Sequence, residues 1–212
     1  MKQYTINEIF YSIQGEGMRM GTPNVFVRFT GCNMRCEMDE GPKSPGGFDC
    51  DTEFESGRKM TAKQISDAGS ELLIENNAGK WPNDEPWIIL TGGEPALQAD
   101  QDFVFEMHER GWKLAIETNG SKEANRSIDW ITVSPKVAEH AIKQKFAHEV
   151  KYVRGYGQAV PKTVVRAEHY LLSPAFNGMV IDTKALEWCV ELVKGNPTWR
   201  LSPQMHKAWV VR

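Results

Sequence analysis

Long apolar runs are missing from this chain, and so is any strong imbalance of charge. No stretch is long and apolar enough to span a bilayer as a helix, and the opening Met1-Lys2-Gln3-Tyr4 has no secretory h-region. The 25 basic residues are set against 28 acidic ones, a net charge of −3, which leaves no electrostatic footprint for a nucleic acid or a membrane surface. Cysteine is scarce. Four thiols without a secretory context exclude a disulfide framework and point to metal or redox chemistry in a reducing cytosol. Internal repeats and low-complexity segments are also absent. What remains is the expectation of a soluble cytoplasmic α/β protein, one domain over 1–212, with no nucleic-acid or membrane partner.

Three of the four cysteines, Cys32, Cys36 and Cys50, fall in one short stretch behind the apolar run 25–30. Three thiolates on one loop make a site for a soft metal or an iron–sulfur cluster. A structural zinc site closes with four ligands, here with a histidine such as His206 as the fourth, whereas a cluster held by three cysteines leaves one iron open for chemistry. Cys189, at helical spacing with Leu186 and Leu192, reads as a core thiol. The histidines show no zinc-enzyme spacing, and His108, His140, His148 and His169 read as surface or helix residues.

Short apolar runs alternate with helical patterns, the signature of βα units and a parallel sheet. Strands are expected at 25–30, 87–90, 113–116 and 130–133, with weaker ones at 150–153 and 170–172. Thr61 and Gln64 fit a capping box opening a helix whose Ile65, Ala68, Leu72 and Leu73 share one face. A second helix contains Phe103, Met107 and Arg110, and a last one starts at Asp182 and ends before Gly195. Six strand-like runs predict an α/β barrel or part of one. Each polar cluster follows a strand: Cys32, then Thr91-Gly92-Gly93-Glu94-Pro95, then Glu117-Thr118-Asn119-Gly120, then Ser134-Pro135-Lys136. Loops at the carboxyl ends of parallel strands share one rim, so these clusters predict a composite pocket with the metal at one wall. Singly, the glycine pair suits an ordinary βα turn or close backbone approach to a ligand, Glu117 a solvated carboxylate or a ligand contact, and Lys136 a turn cap or an anion contact.

Cys32-Asn33-Met34-Arg35-Cys36 with Cys50-Asp51-Thr52, and the Thr91-Gly92-Gly93-Glu94-Pro95 turn, resemble the radical S-adenosylmethionine superfamily. Ile9-Phe10-Tyr11-Ser12-Ile13-Gln14-Gly15-Glu16-Gly17, the 117–120 and 133–136 stretches and the tail 199–207 are similar to the 7-carboxy-7-deazaguanine synthases within it. The resemblance implies a truncated parallel (β/α) barrel, found as a homodimer. It implies a [4Fe–4S] cluster on Cys32, Cys36 and Cys50, and S-adenosylmethionine held by Gly93, Ser134, Pro135 and Lys136 with Phe48 and Asp49 beside it. It further implies Mg2+ on Thr52, and a pterin substrate against Ile13, Gln14, Gly15, Glu16, Arg28, Thr91, Glu117, His206 and the Arg212 carboxylate. The implied reaction contracts 6-carboxy-5,6,7,8-tetrahydropterin to 7-carboxy-7-deazaguanine with loss of ammonia, the reducing electron coming from a donor such as flavodoxin. The chain departs from the usual spacing: thirteen residues separate Cys36 from Cys50, an insertion at about 37–49, and Ser173 stands where glutamine is common. A glycyl-radical activating enzyme would share the cluster loop and the turn, and a zinc-stabilised binding module is the reading without turnover.

Overall fold

The computed structural model describes residues 1–34, 36, 55–76, 78–81 and 85–211. The main sheet is built from β1 (Tyr4–Ile13), β2 (Pro23–Phe29), β3 (Arg58–Met60), β4 (Trp87–Gly92), β5 (Lys113–Thr118), β6 (Trp130–Val133), β7 (Phe146–Arg154), β8 (Arg166–Pro174) and β11 (Trp199–Leu201). Its order is β11-β8-β7-β6-β5-β4-β2-β1-β3. From β2 to β11 every pairing is parallel, while β1 runs antiparallel to both β2 and β3. Among the described residues the two edge strands, β3 and β11, do not pair with each other, so the sheet stays open. That is the truncated α/β barrel the sequence predicts.

Side chains alternate across each strand, and this period of two sorts the residues onto two faces. Val25, Val27, Ile88, Leu90, Leu114 and Ile116 point to one side and are completely buried. They pack with Ile65 of α1 (Ala62–Glu75) and Phe103, Val104 and Met107 of α2 (Gln101–Glu109). Each such side chain contributes roughly 1.5–3 kcal/mol by leaving water. The inner face carries a second, smaller apolar cluster of Phe10, Phe26, Ile89 and Ala115, with Trp87 and Trp130 packed on it. Two residues further toward the strands' carboxyl ends, the same face carries Arg28, Thr91 and Glu117, with Glu8 opposite Arg28 on β1. The sheet therefore presents an apolar base and a polar upper half on one surface.

Thr61 caps α1 as expected: its Oγ1 accepts from Gln64 N at 3.2 Å, and Gln64 Oε1 accepts from Thr61 N at 2.8 Å. Near the end of the chain, the strand pair β9 (Phe176–Asn177) and β10 (Val180–Ile181) precedes α3 (Thr183–Gly195), and α4 (Met205–Trp209) follows β11. Several expectations need correction. α3 runs through Gly195. β1, β3, β9, β10, β11 and α4 were not anticipated, because they are either short or rich in polar residues. His148 and His169 are half-buried and lie on strands, not helices. His148 lies on β7, where its Nδ1 accepts from Ile131 N at 2.9 Å and its ring stacks on Trp130. His169 lies on β8 and stacks on the same indole. No helix among the described residues is long and apolar enough to cross a membrane.

Candidate active site

The segment after β1 crosses the inner face and ties down strands far from it in sequence. Gln14 Nε2 donates to Glu117 Oε1 of β5 at 2.9 Å. Met18 N donates to Glu149 Oε2 of β7 at 2.8 Å, and Gly17 N donates to Ser202 Oγ beyond β11 at 2.8 Å. Met205 N, at the start of α4, donates to the Gly15 carbonyl at 2.9 Å. Gly17 takes φ of 71°, and a Cβ there would strike the Glu149 carboxylate, so this crossing needs glycine. The result is a floor spanning most of the open sheet.

Above that floor is a cavity of about 550 Å³. Ile13, Gln14, Gly15, Glu16, Arg28, Thr91, Glu117 and His206, eight residues brought forward by the sequence, all line it. Thr91 Oγ1 donates to Glu117 Oε2 at 3.1 Å, so both Glu117 oxygens are held. Arg28 Nε donates to Glu8 Oε1 at 2.8 Å, and Glu8 lines the cavity as well. Glu16 forms an ion pair with Lys151, and its other oxygen accepts from Gln204 Nε2 at 3.0 Å. Burial pushes the Glu16 carboxyl up, but the Lys151 ammonium, Gln204 and His206 outweigh this and hold it at about 2. Burial lowers His206 below its ordinary value, more than Glu16 and Glu117 raise it, which leaves a neutral imidazole at neutral pH.

The rim beside this cavity is assembled around Glu94, which is completely buried. Its carboxylate accepts from Ala96 N at 3.0 Å, Thr118 Oγ1 at 2.8 Å and Asn119 N at 2.7 Å, locking the turns after β4 and β5 together. Glu94 N donates to the Gly31 carbonyl at 2.9 Å and Gly93 N to the Phe29 carbonyl at 3.1 Å, seating the cysteine loop on the turn. Gly93 therefore approaches the backbone of the cysteine loop, where a Cβ would strike the Gly31 carbonyl. Ser134 N donates to the Thr118 carbonyl at 2.8 Å and Lys136 N to the Asn119 carbonyl at 3.2 Å, which puts Pro135 on the same rim. Asn119 Nδ2 lies 3.2 Å from Asn33 Oδ1 and 3.9 Å from Cys32 Sγ.

Cys32, on this rim, and Cys36 are half-buried, and Cys189 is buried in α3, as expected of a core thiol. The donor set suits an iron–sulfur cluster: two accessible thiols on one loop, with backbone Met34 N at 3.4 Å and the Asn119 amide near Cys32 Sγ. Phe48, Asp49, Cys50, Thr52 and Arg212, and the 37–49 insertion, lie outside the described residues. Among the described residues no three His, Cys, Asp or Glu side chains are grouped for a metal ion, and His206 sits 3.8 Å from Glu16 on the cavity floor.

No protein-family model matches the chain. It is 38% identical over 210 residues to the 7-carboxy-7-deazaguanine synthase of Burkholderia multivorans, covering 96% of this chain and 97% of that protein. With the 7-carboxy-7-deazaguanine synthase of Bacteroides thetaiotaomicron it shares 39% identity over 209 residues, 98% of each chain. The chain belongs to the 7-carboxy-7-deazaguanine synthase family. The crystal structure of QueE from Escherichia coli matches with a TM-score of 0.64 over 95% of this chain and 94% of that one, at 21% identity, which bears on the fold alone.

In this member of the 7-carboxy-7-deazaguanine synthase family, sequence reasoning missed Glu8, Glu149, Lys151 and Gln204. Glu149 and Lys151 stand two apart in an apolar strand, a spacing that puts two charges on one face and signals a buried polar contact. Two expected results follow. The folded Glu16 carboxyl titrates at about 2 against an ordinary 4.5, so its pair with Lys151 stabilises the fold fully above about 4.5 and loses its effect as pH falls toward 2. The difference in unfolding free energy between wild type and E16Q, measured by denaturant titration, should therefore shrink across that window. G93A should keep secondary structure by circular dichroism yet take up less than about half the iron of wild type, since the displaced loop carries Cys32, the ligand the sequence leads one to expect.

Proposed function

We propose that this chain contracts 6-carboxy-5,6,7,8-tetrahydropterin to 7-carboxy-7-deazaguanine with loss of ammonia, a carbon–nitrogen lyase step in queuosine and related deazapurine biosynthesis. One observation carries the reading: an acidic-floored cavity with Arg28 in its wall adjoins the rim that bears Cys32, in a chain of this family. Cys32 and Cys36 with Cys50 would hold a [4Fe–4S] cluster, and Gly93, Ser134, Pro135 and Lys136 with Phe48 and Asp49 would hold S-adenosylmethionine. When bound, the two supply a carbon-centred radical by reductive cleavage, able to take hydrogen from C6 of the pterin.

The chain's own residues bind, orient and exclude water. The Glu16 and Glu117 carboxylates suit the N–H-rich edge of a pterin; Gln14 and Thr91 fix the direction of Glu117, and Lys151 and Gln204 that of Glu16. Arg28, two strands from Glu117 on the same face of the sheet, suits the substrate carboxylate. Neutral His206 offers a hydrogen-bond partner without adding charge. Phe10 and Phe26 beneath keep the base of the cavity apolar. The same reading takes residues 1–212 as one domain working as a homodimer, with Thr52 as the protein's ligand to Mg2+, the Arg212 carboxylate at the substrate and an electron donor such as flavodoxin.

The test is anaerobic reconstitution with iron and sulfide, then incubation with the carboxy-tetrahydropterin, S-adenosylmethionine, magnesium and a reductant. Chromatographic detection of 7-carboxy-7-deazaguanine is the expected result. A chain that assembles its cluster and binds S-adenosylmethionine, yet leaves the pterin unchanged, would refute the proposal.

A further inference from the structure

We propose that Lys151 is a positioning residue for the pterin, acting through Glu16 by holding that carboxylate ionised and aimed into the cavity; this rests on the proposed function. Lys151 does not line the cavity itself. It projects from the inner face of β7, is 8% exposed, and forms an ion pair with the Glu16 carboxylate that does line it. Gln204, which lines the cavity beside it, holds the other Glu16 oxygen, so both carboxylate oxygens are fixed.

Charge makes the grip matter. Glu117 from β5, Glu149 from β7 and Glu16 from the floor all act on Lys151, and together they keep its ammonium above its ordinary value against the opposing effect of burial. His206 and Lys207 reach the floor from α4, while Arg19, whose guanidinium lies over Trp87, acts on Glu149. Three carboxylates so placed repel one another, and removing the ammonium takes most from Glu16, the carboxylate it pairs with directly, and so favours its protonation. A protonated Glu16 becomes a hydrogen-bond donor facing the N–H groups it should accept from. The floor itself has independent ties, through Met18 to Glu149, Gly17 to Ser202 and Met205 to Gly15. Loss of the Lys151 charge should therefore change the protonation of Glu16 before it changes the path of the chain.

The experiment uses the reconstituted holoenzyme and follows equilibrium binding of the carboxy-tetrahydropterin and of S-adenosylmethionine, with turnover measured separately. K151M should weaken pterin binding on the order of 100-fold at neutral pH, appearing in KM more than in kcat, with S-adenosylmethionine binding changed less than about 3-fold. Its pterin affinity should climb as pH rises through the neutral range, a limb absent from wild type, from K151R and from the K151M/E16Q double variant. Wild-type pterin affinity in K151M, a loss without the new pH limb, or equal loss of both ligands would overturn the assignment. Should K151M fail to fold, K151M/E16Q decides: pterin binding no weaker than in E16Q supports the coupling, and much weaker binding overturns it. A wild-type enzyme that binds no pterin would refute the proposed function and this inference together, whereas normal wild-type binding with an indifferent K151M refutes this inference alone.

Discussion

Cys32→Ala will leave the reconstituted protein without its iron–sulfur cluster, and Cys189→Ala will leave iron and sulfide content unchanged. The contrast follows from where the two thiols sit. Cys32 is half-buried at the rim, with Met34 N at 3.4 Å and the Asn119 amide at 3.9 Å from its sulfur. Cys189 is completely buried in α3, and burial pushes its thiol up to about 11, only partly countered by Arg154. Its Sγ faces the Arg154 carbonyl at 3.8 Å, not the rim. A cluster with three cysteine ligands has none to spare, so Cys36→Ala and Cys50→Ala should match Cys32→Ala. Iron and sulfide per chain, with the visible absorption of the reconstituted protein, measure the outcome. Full iron in the Cys32 variant, or none in the Cys189 variant, would reverse the ligand assignment.

The rim was legible because its signals are local. A β-rich run followed by Cys32, by Thr91-Gly92-Gly93-Glu94-Pro95 or by Ser134-Pro135-Lys136 places each cluster at a strand's carboxyl end without knowledge of the rest of the chain. The floor was not legible in that way. Gln14 meets Glu117, and Glu16 meets Lys151, across more than a hundred residues, and neither pairing leaves a periodic trace in sequence. β1 escaped notice as a strand because Asn7 and Glu8 interrupt its apolar alternation, and a bulge between Ile6 and Glu8 breaks its register. Those interruptions are the functional part of the strand. The glycine pair had the right location but an incomplete reading: Gly93 lets the turn approach the backbone of the cysteine loop, which fixes the rim. Glu94, passed over as a turn residue, is the buried carboxylate joining two rim loops.

Arg28→Ala should weaken pterin binding on the order of 100- to 1,000-fold while changing S-adenosylmethionine binding less than about 3-fold. Two effects add. In the proposed function the guanidinium meets the substrate carboxylate, and its removal would delete a charge-assisted contact. Its removal also strips Glu8, at 2.8 Å, of the cation that balances it within the cavity wall. Glu8 then opposes an incoming anion. If that repulsion is real, R28A/E8A should bind the pterin about tenfold better than R28A despite having lost a further side chain. Arg28→Lys should fall between wild type and R28A, because an ammonium keeps the charge but cannot serve Glu8 and a carboxylate in one plane. Equilibrium binding of the two ligands to each variant separates these terms. Equal losses for pterin and S-adenosylmethionine would remove Arg28 from the substrate site, and a double variant no better than R28A would mean that Glu8 exerts no repulsion. The wall carries one cation and one anion before substrate arrives, and the anion should bear on the pterin carboxylate only once the cation that balances it is removed.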